Sequence, residues 1–166
     1  MGEPFLVAER VTMDNLNPGH VALSSSVTGS VAYIAEDLGS EWELLWFDRS
    51  GKQTGVVGRP EAGEVLQPRL SPDGRTVAVS RTVNGNRDIW LIETARGLFS
   101  RLTSDPAREG QPIWSPDGSR LIFFSDRSGV YDLYQKAIGS DAEELLFASV
   151  NYKNPYDWSR DGRFVL

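Results

Sequence analysis

Short apolar segments alternate with polar, glycine-containing segments along most of the chain. Residues 75–80 (Arg-Thr-Val-Ala-Val-Ser) and 120–125 (Arg-Leu-Ile-Phe-Phe-Ser) are two such apolar segments, and both are rich in the β-branched and aromatic residues that favour strands. No segment shows the apolar period of an amphipathic helix. The pattern therefore predicts an all-β chain that is built from short strands.

A repeat of 44 residues runs through the chain. Ser71-Pro72-Asp73-Gly74 recurs as Ser115-Pro116-Asp117-Gly118 and again as Ser159-Arg160-Asp161-Gly162, which places the three aspartates 44 residues apart. Residues 88–91 (Asp-Ile-Trp-Leu) and 132–135 (Asp-Leu-Tyr-Gln) repeat at the same spacing. Four short strands in a unit of this length are typical of a β-propeller blade.

Each of these tetrapeptides predicts a tight turn between two strands. Proline in the second position presets φ, aspartate in the third bonds the local backbone, and glycine in the fourth accepts a positive φ. Because the tetrapeptides recur with the repeat, we interpret them as architectural turns rather than as reactive sites. The predicted turn residues are Ser71, Pro72, Asp73, Gly74, Ser115, Pro116, Asp117, Gly118, Asp161 and Gly162.

The repeat divides the chain into about 3.8 units of 44 residues. We predict a β-propeller fragment over residues 1–166: an outer strand of a preceding blade at 1–17, four-stranded antiparallel blades at 18–61, 62–106 and 107–150, and the inner strands of a further blade at 151–166. Known propellers close with roughly four to eight blades, so an open arc exposes apolar surface and a strand edge. A homodimer that closes the propeller ring would bury that surface.

Composition narrows the classes of function. The chain carries 23 acidic and 17 basic residues, a net charge of -6, which argues against nucleic acid as the main partner because phosphate binding needs a basic surface. No apolar run is long enough to cross a membrane, so we expect no membrane contact within this chain. The sequence holds no cysteine and a single histidine, His20. Cysteine-ligated zinc and metal sites with two or more histidines are therefore excluded.

The sequence predicts neither catalytic residues nor a metal or cofactor site. His20 follows Asn17-Pro18-Gly19, which is a turn sequence, and no nucleophile motif accompanies it. Asp126, Ser128 and Asp132 lack the acidic spacing and the distal glutamate of a calcium loop, so we interpret this segment as a solvated blade loop. We therefore expect a chain that is not an enzyme.

The loops of the predicted propeller are the best candidates for a binding surface. Loops from the second to the third strand of each blade, and from the fourth strand to the next blade, gather on one face, here called the loop face; loops on a rigid scaffold commonly carry binding. A mixed arginine, aspartate and tyrosine surface favours protein or peptide recognition. The predicted binding residues are Arg87, Asp105, Arg108, Asp126, Arg127 and Tyr131.

These turn and strand motifs resemble those of the TolB-type, WD-repeat-like propellers of bacteria. Residues 45–52, 85–91 and 129–136 look like segments of the propeller that follows the kinase domain in bacterial membrane serine/threonine kinases. The resemblance implies a non-catalytic binding or scaffolding module, the sensory or partner-binding part of such a kinase or of a TolB-like protein, on the extracytoplasmic (periplasmic) side. The same blade type occurs in prolyl-oligopeptidase-like serine peptidases, so a substrate-gating propeller domain is the alternative.

Overall fold

The computed structural model describes residues 23–25, 31–36, 41–62 and 64–166. Within these residues the chain forms strands and no helix. The strands are β1 (Leu23–Ser25), β2 (Val31–Glu36), β3 (Glu41–Phe47), β4 (Gln53–Ala62), β5 (Val65–Leu70), β6 (Thr76–Val83), β7 (Asn86–Glu93), β8 (Phe99–Arg101), β9 (Glu109–Trp114), β10 (Arg120–Ser125), β11 (Asp132–Ala137) and β12 (Glu143–Phe147). The outer strand predicted at residues 1–17, and His20, lie outside the described residues.

The strands form three four-stranded antiparallel sheets. Their orders are β1-β2-β3-β4, β5-β6-β7-β8 and β9-β10-β11-β12, so each strand pairs with its neighbour in the chain. The first strands β1, β5 and β9 lie next to one another, which makes them the innermost strands of successive blades. The prediction of an all-β propeller with four-stranded antiparallel blades is confirmed.

The repeated tetrapeptides form closed turns between the first and second strands. At the first turn the Gly74 N–H donates to the Ser71 carbonyl at 2.9 Å, and Gly74 has a φ of 74°. The Ser71 hydroxyl donates to the Asp73 carboxylate at 2.6 Å and accepts from the Thr76 N–H at 3.0 Å. All of these bonds lie within six consecutive residues, so the local sequence alone specifies the turn.

The same hydrogen bonds recur at the second and third turns. Ser115 and Ser159 each donate to the aspartate two residues later at 2.6 Å. Hydrogen bonds from Ser115 and from Ser119 lower the pKa of Asp117 to about 2. Around the third turn, residues 156–166 form a hairpin with a bridge between Trp158 and Val165.

The hydrophobic core lies between the sheets. Successive residues of β6 point to opposite faces, as the strand period requires. Val77 and Val79 therefore pack towards the first sheet, against Leu44 and Val57. Ala78 packs with Phe123 of the third sheet. The tryptophans of the repeat, Trp46, Trp90 and Trp114, pack against these two clusters, as expected of aromatic anchors between blades.

A glutamine at the same repeat position ties the second blade to the third. Gln67 and Gln111 have φ values of 54° and 56°, and β5 shifts register beside Gln67. This bulge turns the Gln67 side chain so that its carbonyl oxygen accepts from the Gln111 N–H at 2.8 Å and from the Ser80 hydroxyl at 2.9 Å. The innermost strands of the two blades are thereby joined through a buried hydrogen bond.

Candidate functional site

The loop face of the second and third blades is a connected backbone framework. β6 and β7 are joined by Asn84-Gly85, both at positive φ, which is typical of a two-residue type I′ hairpin. The Asn86 side-chain amide donates to the Asp105 carbonyl at 2.9 Å, which links this hairpin to the connection at residues 102–108. The Arg108 N–H donates to the Asp126 carboxylate at 2.8 Å and so links that connection to the β10–β11 loop.

These loops enclose a polar cleft of about 440 Å³. Three of the predicted binding residues, Arg87, Arg108 and Asp126, line it together. The other lining residues are Glu64, Thr82, Gly85, Asn86, Pro106 and Ala107. The volume falls within the range of roughly 300–1,000 Å³ that small-ligand sites occupy.

The two arginines of the cleft differ in how they are held. Arg87 is mostly buried, and its Nη2 donates to the Glu64 carboxylate at 2.5 Å. The Arg108 side chain is half-buried, and within residues 64–166 no acidic side chain pairs with its guanidinium. Arg108 is therefore the cation of this cleft whose charge is left for an external group.

Arg127, also a predicted binding residue, sits inside an ionic cluster. Its guanidinium contacts the carboxylates of Glu109, of Glu143 at 2.6 Å and of Asp105 at 3.5 Å. It also lies 4.1 Å above the centre of the Tyr134 ring. Arg127 and Asp105 are thus engaged within the chain, where they join the connection at 102–108 to β9 and β12.

Glu109 is the most deeply placed acid of this ionic cluster, with no exposed surface. Burial raises the pKa of Glu109 to about 7, because removing a carboxylate from water disfavours its charged form. The negative charge of Glu143 acts in the same direction, whereas the positive charge of Arg127 opposes it. The group therefore changes its ionisation near neutral pH.

An aromatic stack leads from the core to the surface of the third blade. The Tyr131 ring stacks on Phe124 at a centroid distance of 4.2 Å, and Tyr152 meets Tyr131 edge-on at 5.0 Å. Tyr152 is 68% exposed. The predicted binding residue Tyr131 thus supports the exposed ring of Tyr152.

The expectation of a solvated loop at Asp126, Ser128 and Asp132 is wrong for Asp132, which is only 3% exposed. The Lys153 ammonium donates to the Asp132 carboxylate at 2.6 Å, and Ser128 also donates to it. These bonds lower the pKa of Asp132. Among the described residues, no group of three or more acids or histidines is arranged to hold a metal ion.

The opposite ends of the strands carry a second cleft, of about 410 Å³. It lies between the second and third turns, and Arg120, Trp158 and Arg160 line it with the turn residues. We call this side the turn face. Its arginines, Arg120 and Arg160, are exposed.

Sequence reasoning missed Glu64 and Glu143 as the partners of Arg87 and Arg127. Glu143 contacts both Arg127 and Lys136. One signal was available for Glu109: it falls 44 residues after Val65, so that a charged residue occupies an apolar position of the repeat.

The fold and the loop face together define a class of protein. Four-stranded blades packed face to face around innermost first strands, with a polar cleft on the loop face, make the chain a β-propeller. None of the described residues forms an apolar helix of the length that a membrane crossing requires.

The model of the TolB beta propeller domain matches residues 26–166 of this sequence. The chain therefore belongs to the TolB-type β-propeller family. Among curated relatives, it is 36% identical to the uncharacterized peptidase YuxL of Bacillus subtilis (strain 168) over 110 residues, which cover 61% of this chain and 17% of that protein.

The chain is also 29% identical to the Tol-Pal system protein TolB of Francisella tularensis subsp. mediasiatica (strain FSC147) over 98 residues, 56% of this chain and 22% of that protein. The crystal structure of TolB from Acinetobacter baumannii superposes with a TM-score of 0.74 at 23% identity, covering 86% of this chain and 35% of that chain. The chain thus spans about a fifth of the length of these curated relatives, and the structural likeness concerns the fold.

Proposed function

We propose that this chain is a non-catalytic binding or scaffolding module that recognises a protein or peptide partner on its loop face. The observation that carries the proposal is the polar cleft, in which Arg108 presents a charge that no acid within residues 64–166 neutralises. Arginine is a frequent anchor of protein interfaces because its planar fork gives several oriented hydrogen bonds.

The backbone around the cleft supports the proposal. Hydrogen bonds from Asn86 to Asp105, from Ala107 to Asp105 and from Arg108 to Asp126 fix three separate loops in the free chain. A surface that is already ordered loses less conformational entropy when a partner binds. Tyr152, which is exposed beside Tyr131 of the β10–β11 loop, adds apolar contact area.

Selection of peptides from a displayed random library on the immobilised chain tests this proposal. We expect the selected peptides to lose binding to a loop-face variant, Arg108→Glu, which leaves the ion pair between Arg87 and Glu64 in place. They should retain binding to a turn-face variant, Arg120→Glu, which makes the same change of charge at an exposed arginine. Equal binding to both variants, or loss with the turn-face variant alone, would contradict the proposal.

We further propose that the parent protein places this module outside the cytoplasmic membrane, as the sensory or partner-binding part of a bacterial serine/threonine kinase or of a TolB-like protein. Membership of the TolB-type family supports this location. The coding sequence that flanks the segment provides the test. A kinase domain and a membrane span upstream, or a secretory signal, would support the proposal, and a cytoplasmic parent with neither would contradict it.

A second candidate is the substrate-gating propeller domain of a prolyl-oligopeptidase-like serine peptidase. The specific observation in its favour is the 36% identity to a protein named as a peptidase. This candidate predicts an α/β-hydrolase domain with a G-x-S-x-G motif in the same gene. A parent gene that lacks this motif would exclude it.

We propose separately that the third sheet packs against a second copy of this chain. Leu145 and Phe147 of β12 are each 55% exposed, and an exposed apolar strand favours contact with another chain. Light scattering on a sizing column, over a concentration series, should give the mass of a dimer that closes the propeller ring. A monomer mass at every concentration would exclude the homodimer.

A further inference from the structure

We infer that the loop-face cleft binds a carboxylate group, with Arg108 as its main ligand and Arg87 as the second. The inference rests on the proposed function and specifies the chemistry of the partner: a peptide that offers a free C-terminal carboxylate or an acidic side chain.

The acids near the cleft are each engaged by a group other than the Arg108 guanidinium. Glu64 accepts from Arg87, and Asp126 accepts from the backbone N–H of Arg108. Asp105 pairs with Arg127 and accepts from the Ala107 N–H. Each of these bonds stabilises a loop, so none of the three acids is free to turn towards the Arg108 guanidinium without breaking the framework.

Arg87 offers a second donor in the same cleft. Its Nη2 donates to Glu64, and its Nε lies 3.5 Å from the Thr82 hydroxyl. Its Nη1 has no acceptor within the part of the chain that the structure describes. Because both arginines line the cleft, a carboxylate bound there can accept from Arg108 with both oxygens, and Arg87 supplies a further donor.

The shape of the guanidinium favours a carboxylate as the ligand. Two acidic residues, Glu64 and Asp126, line the cleft together with the arginines. A phosphate experiences about twice the repulsion and twice the attraction of a carboxylate, so charge alone does not choose between these anions. A planar carboxylate matches the planar fork of Arg108, which can donate to both of its oxygens.

Arginine Nε–Hε signals in a ¹⁵N NMR titration report this binding directly. The probes are Ac-Ala-Ala-Ala-OH, which carries a C-terminal carboxylate, and Ac-Ala-Glu-Ala-NH₂, which carries a side-chain carboxylate. Ac-Ala-Gln-Ala-NH₂ is the uncharged control, and inorganic phosphate is the competing anion. We expect at least one carboxylate peptide to shift the Arg108 signal saturably and the uncharged peptide to leave it unchanged. The peptide that binds more tightly shows whether the cleft prefers a C-terminal carboxylate or a side-chain carboxylate.

Arg108→Gln should weaken carboxylate binding roughly tenfold or more, since a charge-assisted bidentate contact is lost. The variant keeps the backbone bond to Asp126, and its amide spectrum verifies that the fold is unchanged. Arg120→Gln, on the turn face, should bind within about twofold of the parent chain, because an exposed distant charge contributes little. Equal affinity in Arg108→Gln, tighter binding of phosphate, or no binding of either carboxylate would overturn the inference.

The two proposals fail in different ways. Some selected peptides could require the loop face and still bind Arg108→Gln as tightly as the parent chain. That result would support the proposed function and contradict the carboxylate inference. Absence of any loop-face peptide would remove the proposed function.

Discussion

Replacing the buried acid Glu109 by glutamine should make the stability of the chain fall less as the pH rises, although the change weakens an ion pair. Glu109 is fully buried and its pKa is raised from 4.5 to about 7. The folded state therefore holds the Glu109 proton more tightly than the unfolded state does. The associated stability is fully present below about pH 4.5 and is lost as the pH rises through 7.

The size of the effect follows from the shift in pKa. A difference of about 2.5 units, at 1.36 kcal/mol per unit, gives about 3 kcal/mol over the whole window. Most of that loss falls between pH 5 and pH 8. Glutamine keeps the size of the side chain and an acceptor for Arg127 but cannot ionise. The free energy of unfolding of Glu109→Gln should therefore fall less with pH than that of the parent chain.

Urea unfolding followed by tryptophan fluorescence, at pH 5 and at pH 8, provides the assay. The difference in unfolding free energy between Glu109→Gln and the parent chain should shift by about 2 to 3 kcal/mol in favour of the variant between these pH values. Taking this difference cancels the titration of groups that do not interact with Glu109. Glu144→Gln, on the exposed part of β12, is the control and should show no such shift. A shift below about 1 kcal/mol for Glu109→Gln would refute the reasoning.

Two further predictions concern the blade contacts and the turns. A Cβ at Gly97 would lie 2.3 Å from the Gly58 Cα, whereas one at Gly139 meets nothing within 4 Å, and both glycines have positive φ. Gly97→Ala should therefore lower the free energy of unfolding by about 2 kcal/mol more than Gly139→Ala in the same urea assay, and equal losses would show that the blades do not approach closely there. At the second turn, Asp117 has a pKa lowered to about 2, so its contribution to stability is present above about pH 4 and lost as the pH falls through 2. Thermal unfolding should show a smaller acid-induced fall in Tm for Asp117→Asn than for the exposed control Asp141→Asn, and identical acid profiles would contradict the turn interpretation.

The parts of the fold that sequence reasoning predicted are those with local causes. The hydrogen bonds of the turn at Ser71–Gly74 lie within six residues, so the local sequence is sufficient to specify the turn. The strands that flank it follow from β-branched and aromatic composition. Their antiparallel pairing in chain order follows because short connections join sequential strands.

The candidate site was only partly predictable, because its charges are sorted by contacts between distant segments. Arg108 and Arg127 are both loop arginines in the sequence and looked equivalent. Arg127 is bound by Glu109 and Glu143, which lie 18 and 16 residues from it, and Arg108 has no comparable partner within residues 64–166. Which of two loop arginines is available for a ligand depends on blade packing, and no local pattern encodes it.

The pairing of every strand with its neighbour in the chain has a consequence for how the protein is made. The hydrogen bonds of each sheet form within one unit of the repeat. The loop-closure entropy lost in forming a blade is therefore smaller than it would be for strands that are distant in the chain. During synthesis a blade can assemble as soon as its fourth strand leaves the ribosome, and its apolar face then serves as the template for the next blade. We therefore expect the blades to assemble in the order in which they are translated.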